Sequence, residues 1–157
     1  MLIQRENIKV FCDVLRKAGQ RIVFTNGCFD ILHTGHVRYL AAARAQGDCL
    51  VLGLNSDDSV RRLKGKHRPI NSELDRAEVV GALASVDYVT IFDEPTASEL
   101  IELVRPEVYA KGGDYALYNL PEAKIVQGYG GRVVFIELVP GRSTTDVIAK
   151  IQDMEQK

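Results

Sequence analysis

The chain has 157 residues, about one domain's worth, and its 20 Lys and Arg nearly cancel 21 Asp and Glu to leave a net charge of −1. That balance argues against a general basic grip on nucleic acid, although it leaves room for a local cationic pocket. With 46% hydrophobic and 26% charged residues, the composition is that of a globular chain with a real core and excludes a disordered one.

In chain order, Ile8, Phe11, Cys12, Leu15 and Ala18 recur at helical spacing, and Gly19 closes them as a C′ residue. Residues 21–25 (RIVFT) are a short apolar run of strand length. Val37, Leu40 and Ala41 restore helical spacing up to Gly47. Residues 49–54 (CLVLGL) then read as a second, almost wholly apolar strand, which suits the middle of a parallel sheet covered on both faces. Ser72 with Asp75 marks a helix through Ala77, Val80, Leu83 and Ala84. A strand is expected over 88–92, and a helix over 96–104 opened by Thr96 or Ser98 with Glu99 in its first turn. A short strand over 108–110, a helix over 121–129 and a last strand over 133–136 follow. Ser143 or Thr144 caps a final helix through Ile151.

Strands and helices alternating at this pitch predict an α/β fold, an open parallel sheet with helices on both faces and right-handed crossovers. No repeat, low-complexity tract or linker divides the chain. One domain over 1–157 is therefore expected, with an N-terminal helix at about 4–18 and a catalytic core at about 21–151. No apolar run approaches the roughly 20 residues that span a bilayer, and Glu6 and Asp13 interrupt what a signal peptide would keep apolar. Cys12, Cys28 and Cys49 lack CxxC spacing, so neither a disulfide framework nor a zinc site is indicated. The expected setting is reducing cytoplasm, with no membrane and no nucleic acid as partner.

Ligands of such sheets bind beyond the C-terminal strand ends, and the polar stretch after the first strand is Asn26-Gly-Cys-Phe-Asp-Ile-Leu-His-Thr-Gly-His36. Gly27 lets backbone approach a ligand, and Gly35 allows a tight turn into the next helix. The free amides at that helix start suit a phosphate. His33 and His36, three apart, project to one side of it and can donate hydrogen bonds to charge developing on phosphorus. Alone, the pair reads equally as two loop histidines or as part of a metal site. Only His67 is left as a third imidazole, a poor zinc set, and no protein metal site is expected.

The pair is not alone. Gly27-Cys-Phe-Asp-Ile-Leu-His-Thr-Gly-His36 closely resembles the GxFDxxHxGH signature of the cytidylyltransferase-like nucleotidyltransferases. A second family element, an STT segment opening the last helix, matches Gly141-Arg142-Ser143-Thr144-Thr145. The resemblance implies a Rossmann-like fold of nucleotidyltransferase type, and transfer of a nucleoside monophosphate from an NTP to a phosphorylated acceptor with release of pyrophosphate. Within the superfamily the chain is most similar to the adenylyltransferase domain of the heptose-phosphate kinase/adenylyltransferases. That similarity rests on FTNGCFDILHTGH, the Leu63-Lys64-Gly65 to Arg68-Pro69-Ile70 stretch, Lys111-Gly-Gly-Asp-Tyr115 and the STT helix, and covers nearly the whole chain. Two departures stand out. The sugar-kinase half of those relatives is absent, so a separate kinase is expected upstream. Arg142 also occupies a slot where relatives often carry Ile or Cys.

The resemblance implies that His33 and His36 act on the α-phosphate and that Lys64 is a lid cation reaching the reacting phosphates. Left to itself, the run Lys64-Gly-Lys-His-Arg68 reads as a solvated, poorly ordered loop. Backbone around Gly27, Cys28 and Phe29 approaches the nucleotide, and Cys28 needs no thiolate role because the acceptor phosphate attacks directly. Arg142, Ser143, Thr144 and Thr145 belong to the nucleotide site, although the hydroxyls serve equally as ordinary helix caps. Asp30 is either a nucleotide contact or a satisfier of turn amides. Asp57 is either a ribose ligand or a helix N-cap. Arg68 and Arg76 are acceptor-side candidates, Arg76 being alternatively a surface residue. Lys111, Gly112 and Asp114 are candidates for acceptor or nucleotide recognition.

The implied reaction joins ATP to D-glycero-β-D-manno-heptose 1-phosphate, giving ADP-heptose and pyrophosphate for lipopolysaccharide-core or other surface-heptose precursors. Mg²⁺ is the implied cofactor, held mainly by the triphosphate, and a homo-oligomer, a dimer, is expected. The competing readings are a glycerol-3-phosphate cytidylyltransferase and a non-catalytic nucleotide-binding module. The first usually carries a tryptophan-containing segment, and this chain has no tryptophan. The intact histidine pair, Lys64 and the STT helix speak against the second.

Overall fold

The computed structural model describes residues 1–113 and 120–155. A 3-10 turn over Arg5–Asn7 leads into α1 (Ile8–Lys17), followed by β1 (Ile22–Gly27), α2 (Thr34–Arg44), β2 (Cys49–Asn55) and α3 (Asp57–Lys64). Then come α4 (Glu73–Gly81), β3 (Tyr88–Phe92), α5 (Ser98–Val104), β4 (Val108–Gly112), α6 (Pro121–Gly128), β5 (Arg132–Ile136) and α7 (Thr144–Glu155). The strands form one five-stranded sheet in the order β3-β2-β1-β4-β5, each pair parallel. This is the Rossmann-like parallel sheet that the alternation predicts.

Every residue of β2 is buried. Leu50, Leu52 and Leu54 pack with Leu40 and Ala43 of α2 and Ala77 and Val80 of α4. Cys49 and Val51 point the other way, toward Ile8 and Cys12 of α1, Leu100 and Ile101 of α5, and Ala123 and Val126 of α6. Two apolar faces explain the unbroken run of the sequence, and truncating one side chain, as in Leu52→Ala, costs about 2–5 kcal/mol. Gly53 interrupts the run for want of space: a Cβ there would lie 2.8 Å from the Phe24 ring and 2.9 Å from Leu100.

Some boundaries depart from expectation, and the departures matter for the site. β1, β2 and β4 run on to Gly27, Asn55 and Gly112, placing polar and small residues at the C-terminal sheet edge. α2 ends at Arg44, with Ala45 as its C-cap, rather than at Gly47. Apart from the reading of Asp57 as an N-cap, nothing in the sequence marks helix α3, because Asp57, Asp58, Arg61, Arg62 and Lys64 leave only Val60 and Leu63 as an apolar signal. Ser56 caps it, its Oγ accepting from the Ser59 amide at 3.0 Å. Asp57 is thus not the N-cap, and Lys64 sits in the last turn of a helix rather than in a loop. At the last helix, Ser143 Oγ accepts from the Asp146 amide at 3.0 Å, so Ser143 is the cap. Among the described residues no helix is long and apolar enough to cross a membrane.

The chain leaves β1 for β2 and β3 on one side, then returns to place β4 on the other. The C-terminal ends of β1 and β4 therefore border the point where strand order reverses, where such sheets open a crevice.

Candidate active site

A cavity of about 610 Å³ occupies that crevice. The start of α2, the end of α3, the end of β4 and the start of α7 wall it, bringing together His33, Gly35, His36, Lys64, Lys111, Gly112 and Arg142 to Thr145. Gly27, Cys28, Phe29, Asp30 and Arg68 line it as well.

His33 is the extended residue before α2 (φ −141°, ψ 170°), and its carbonyl accepts from the His36 amide at 2.9 Å. The two imidazoles stack with 3.8 Å between ring centroids, and Phe29 closes the other side of His36 at 5.2 Å. Gly35 makes room for this arrangement, since a Cβ there would meet the His33 ring at 2.9 Å. The Nδ1 atoms of both histidines are buried with no hydrogen-bond partner among the described residues. Burial, with a smaller contribution from His33, pushes His36 down to about 4. Burial, then the Arg142 guanidinium, lowers His33 against the pull of Asp146. Both rings are neutral near pH 7, so each offers one N–H donor and one acceptor nitrogen.

Beneath them the loop after β1 is braced. Phe29 adopts φ 44°, a left-handed conformation rare for a bulky residue, and folds its ring over Gly27, where a Cβ would be 2.9 Å from it. Asp30, its side chain 1% exposed, accepts from the amides of Ile70 at 2.9 Å and Asn71 at 3.0 Å and from Arg68 Nε at 2.6 Å. Burial alone would raise this carboxyl, but the Asn71 and Ile70 amides and Arg68 together hold it below its ordinary value. The amide-satisfying reading of Asp30 is realised, although the amides belong to a segment forty residues on rather than to its own turn.

Arg76 corrects the expectation made for it. It is neither a surface residue nor a cavity residue: its side chain is 0% exposed and pairs with Asp57 at 2.8 Å. Its remaining nitrogens donate to the carbonyls of Cys28 at 2.7 Å and Asn71 at 3.1 Å. The guanidinium is consumed in holding the Cys28 loop against the α3–α4 connection. Asp57, committed to Arg76, does not line the cavity either.

Burial pushes the Cys28 thiol up against the downward pull of Lys64, Arg76 and Arg68, which leaves it a small neutral wall residue. Lys64 is exposed at the cavity mouth. Thr144 Oγ1 donates to the Ile31 carbonyl at 3.1 Å, tying α7 to the histidine loop. Asp114 lies outside the described residues.

Sequence reasoning missed several polar wall residues, among them Asn26, Asn55 and Glu122. Asn26 accepts from Tyr109 Oη at 2.8 Å, Asn55 donates to Ser59 Oγ at 2.9 Å, and Glu122 in the first turn of α6 is 7% exposed. Asn26 and Asn55 share one signal, a polar residue at the C-terminal end of an otherwise apolar strand. Glu122 looks in sequence like an ordinary first-turn acid.

Two neutral imidazoles at one helix start thus face three hydroxyls at another across the strand-order reversal. The chain belongs to the cytidylyltransferase-like family, which matches residues 24–155. It is 54% identical over 149 residues to the bifunctional protein HldE of Syntrophotalea carbinolica, covering 95% of this chain and 30% of that one. To the HldE of Geobacter sulfurreducens it is 52% identical over 149 residues, covering 93% and 30%. The chain thus spans 30% of the length of these relatives. Among solved structures, a lipopolysaccharide core biosynthesis protein from Thermoplasma volcanium superposes with a TM-score of 0.62 at 30% identity, covering 77% of this chain and 98% of that one. Pantothenate synthetase from Thermus thermophilus shares the fold, with a TM-score of 0.56 at 18% identity over 82% and 60% of the two chains.

Proposed function

We propose that the protein transfers AMP from ATP to D-glycero-β-D-manno-heptose 1-phosphate. An oxygen of the sugar phosphate attacks the α-phosphorus of ATP, the bond to the bridging β-phosphate oxygen breaks, and pyrophosphate leaves with that electron pair. The observation that carries the reading is the convergence of His33, His36 and the Ser143–Thr145 hydroxyls on one cavity at the strand-order reversal. The similarity to HldE over 95% of this chain supports the heptose acceptor.

Phosphoryl transfer asks a protein for position and charge neutralisation more than for covalent chemistry. The neutral imidazoles donate N–H groups to the α-phosphate as its charge redistributes, each oriented donor contributing about 10²–10³ in rate. The start of α2 adds its amides and partial positive charge. Lys64 and Arg142, both exposed at the cavity, supply cations for the departing phosphates. Ser143, Thr144 and Thr145 hold the nucleotide. Lys111 serves the acceptor phosphate.

Among the described residues no group of three or more His, Cys, Asp or Glu could hold a metal ion, so these residues do not form a protein cage for Mg²⁺. Mg²⁺ would be held mainly by the oxygens of the triphosphate and would neutralise charge on them.

Pyrophosphate release across a matrix of NTPs and sugar phosphates tests the reading. ATP with the heptose β-1-phosphate is expected to be the fastest pair. Faster turnover of CTP with glycerol 3-phosphate would overturn the substrate assignment and leave the family intact.

A further inference from the structure

The cavity has two unlike walls. His33, Gly35 and His36 come from α2, which packs on one face of the sheet. Lys111 and Glu122 line the cavity from the other face, where Tyr109 and α6 pack together. Glu122 is more than nine-tenths buried, and among the described residues its side chain makes no hydrogen bond and no ion pair with Lys111. The two nevertheless sense each other: burial lowers the Lys111 ammonium and Glu122 opposes that effect. A half-buried cation and a buried carboxylate thus line one wall of the cavity without an ion pair between them among the described residues.

A carboxylate is a poor wall for a polyphosphate, because it repels every anion the reaction handles. It is a good wall for hydroxyl groups, which it can only accept from. We propose that Glu122 is the acceptor-specificity residue: its carboxylate accepts hydrogen bonds from hydroxyls of the sugar, while Lys111 takes the phosphate of the same molecule. The inference rests on the phosphate-acceptor reading of the site and names the chemistry that selects the acceptor, a polyhydroxylated phosphate ester. A site built to bind substrate hydroxyls rejects analogues that lack them, because the buried carboxylate is then left unpaired.

The test compares wild type, Glu122→Gln and Glu122→Ala with ATP and three acceptors: the heptose β-1-phosphate, glycerol 3-phosphate and ethyl phosphate, which has no hydroxyl. In wild type the best hydroxylated acceptor should far exceed ethyl phosphate in kcat/KM. Both substitutions should cut that preference at least about tenfold by raising the acceptor KM, with the KM for ATP moving less than about twofold. The isosteric Gln variant guards against a folding defect in the Ala variant. An unchanged preference, or an equal rise in both KM values, overturns the role of Glu122. If glycerol 3-phosphate is the best acceptor, the heptose assignment falls while Glu122 is still scored against ethyl phosphate. If wild type prefers ethyl phosphate or uses no acceptor, both fall.

Discussion

The imidazoles of His33 and His36 lie ring on ring, 3.8 Å between centroids and 24° between planes. Burial holds both rings neutral, helped at His36 by the neighbouring His33 ring and at His33 by the Arg142 guanidinium. On the proposed reading they act as donors rather than cations and matter for the transition state more than for ground-state binding. His33→Ala and His36→Ala should each lower kcat about 10²–10³-fold. Circular dichroism and thermal melts should show the fold intact. Melting with little loss of activity per folded molecule would make that histidine a packing residue.

The same depressed titration has a consequence for folding. His36 binds its proton near 4 when folded and near 6.5 when unfolded. Between those values the unfolded chain holds the proton that the folded chain refuses, so stability falls as pH drops through the window and is level above it. His33 acts in the same direction. Asp30 has its carboxyl held below the ordinary 3.8, so its contribution is lost only at lower pH. Urea midpoints at about pH 7 and about pH 5 should differ in wild type, and the difference should narrow in His36→Asn, with the His33 share remaining. A variant that keeps the full difference would place the effect elsewhere.

Lys64 is exposed at the cavity mouth, in the last turn of α3. Lys64→Ala should lower kcat with a smaller effect on ATP affinity, as expected for a contact made chiefly in the transition state. Its Tm should hardly change, because an exposed charge contributes little to folding. Single-turnover rates alongside equilibrium ATP titration separate the two quantities, and an unaltered kcat would return Lys64 to the solvated surface.

Arg76 should behave in the opposite way. Removing a fully buried guanidinium orphans the Asp57 carboxylate and two carbonyls, so Arg76→Ala should cost about 3 kcal/mol or more in urea denaturation. Activity per folded molecule should suffer less than in the histidine variants. Near-native stability in Arg76→Ala would contradict the bracing role.

Chelation with EDTA should stop pyrophosphate release without moving the Tm of the nucleotide-free protein, since no metal cage among the described residues contributes to the fold. A drop in Tm on chelation would point to a resident ion.

The sequence exposed whatever depends on local pattern. The continuous apolar run of β2 and the Ser72 cap of α4 both appear where they were read. What stayed hidden depends on partners distant in the chain. Asp30 takes its amides from residues 70 and 71. Arg76, by spacing an ordinary helix charge, is buried only because Asp57 and the Cys28 carbonyl meet it there. Helix α3 was invisible because its charges outnumber its two apolar residues, and Ser56 was the signal available for it. Glu122 gave no signal at all, since only the return of β4 beside β1 carries α6 to the cavity wall.

The grip of Asp30 on Arg68 puts a leash on Lys64. Between the end of α3 and the anchored Arg68 lie only Gly65, Lys66 and His67, a span of roughly 10 Å at full stretch. Lys64 is itself held in the last helical turn, so the leash bounds how far that turn can shift at the cavity mouth. On the reading that Lys64 reaches the departing phosphates, residues inserted into that leash should change kcat without altering any group that lines the cavity.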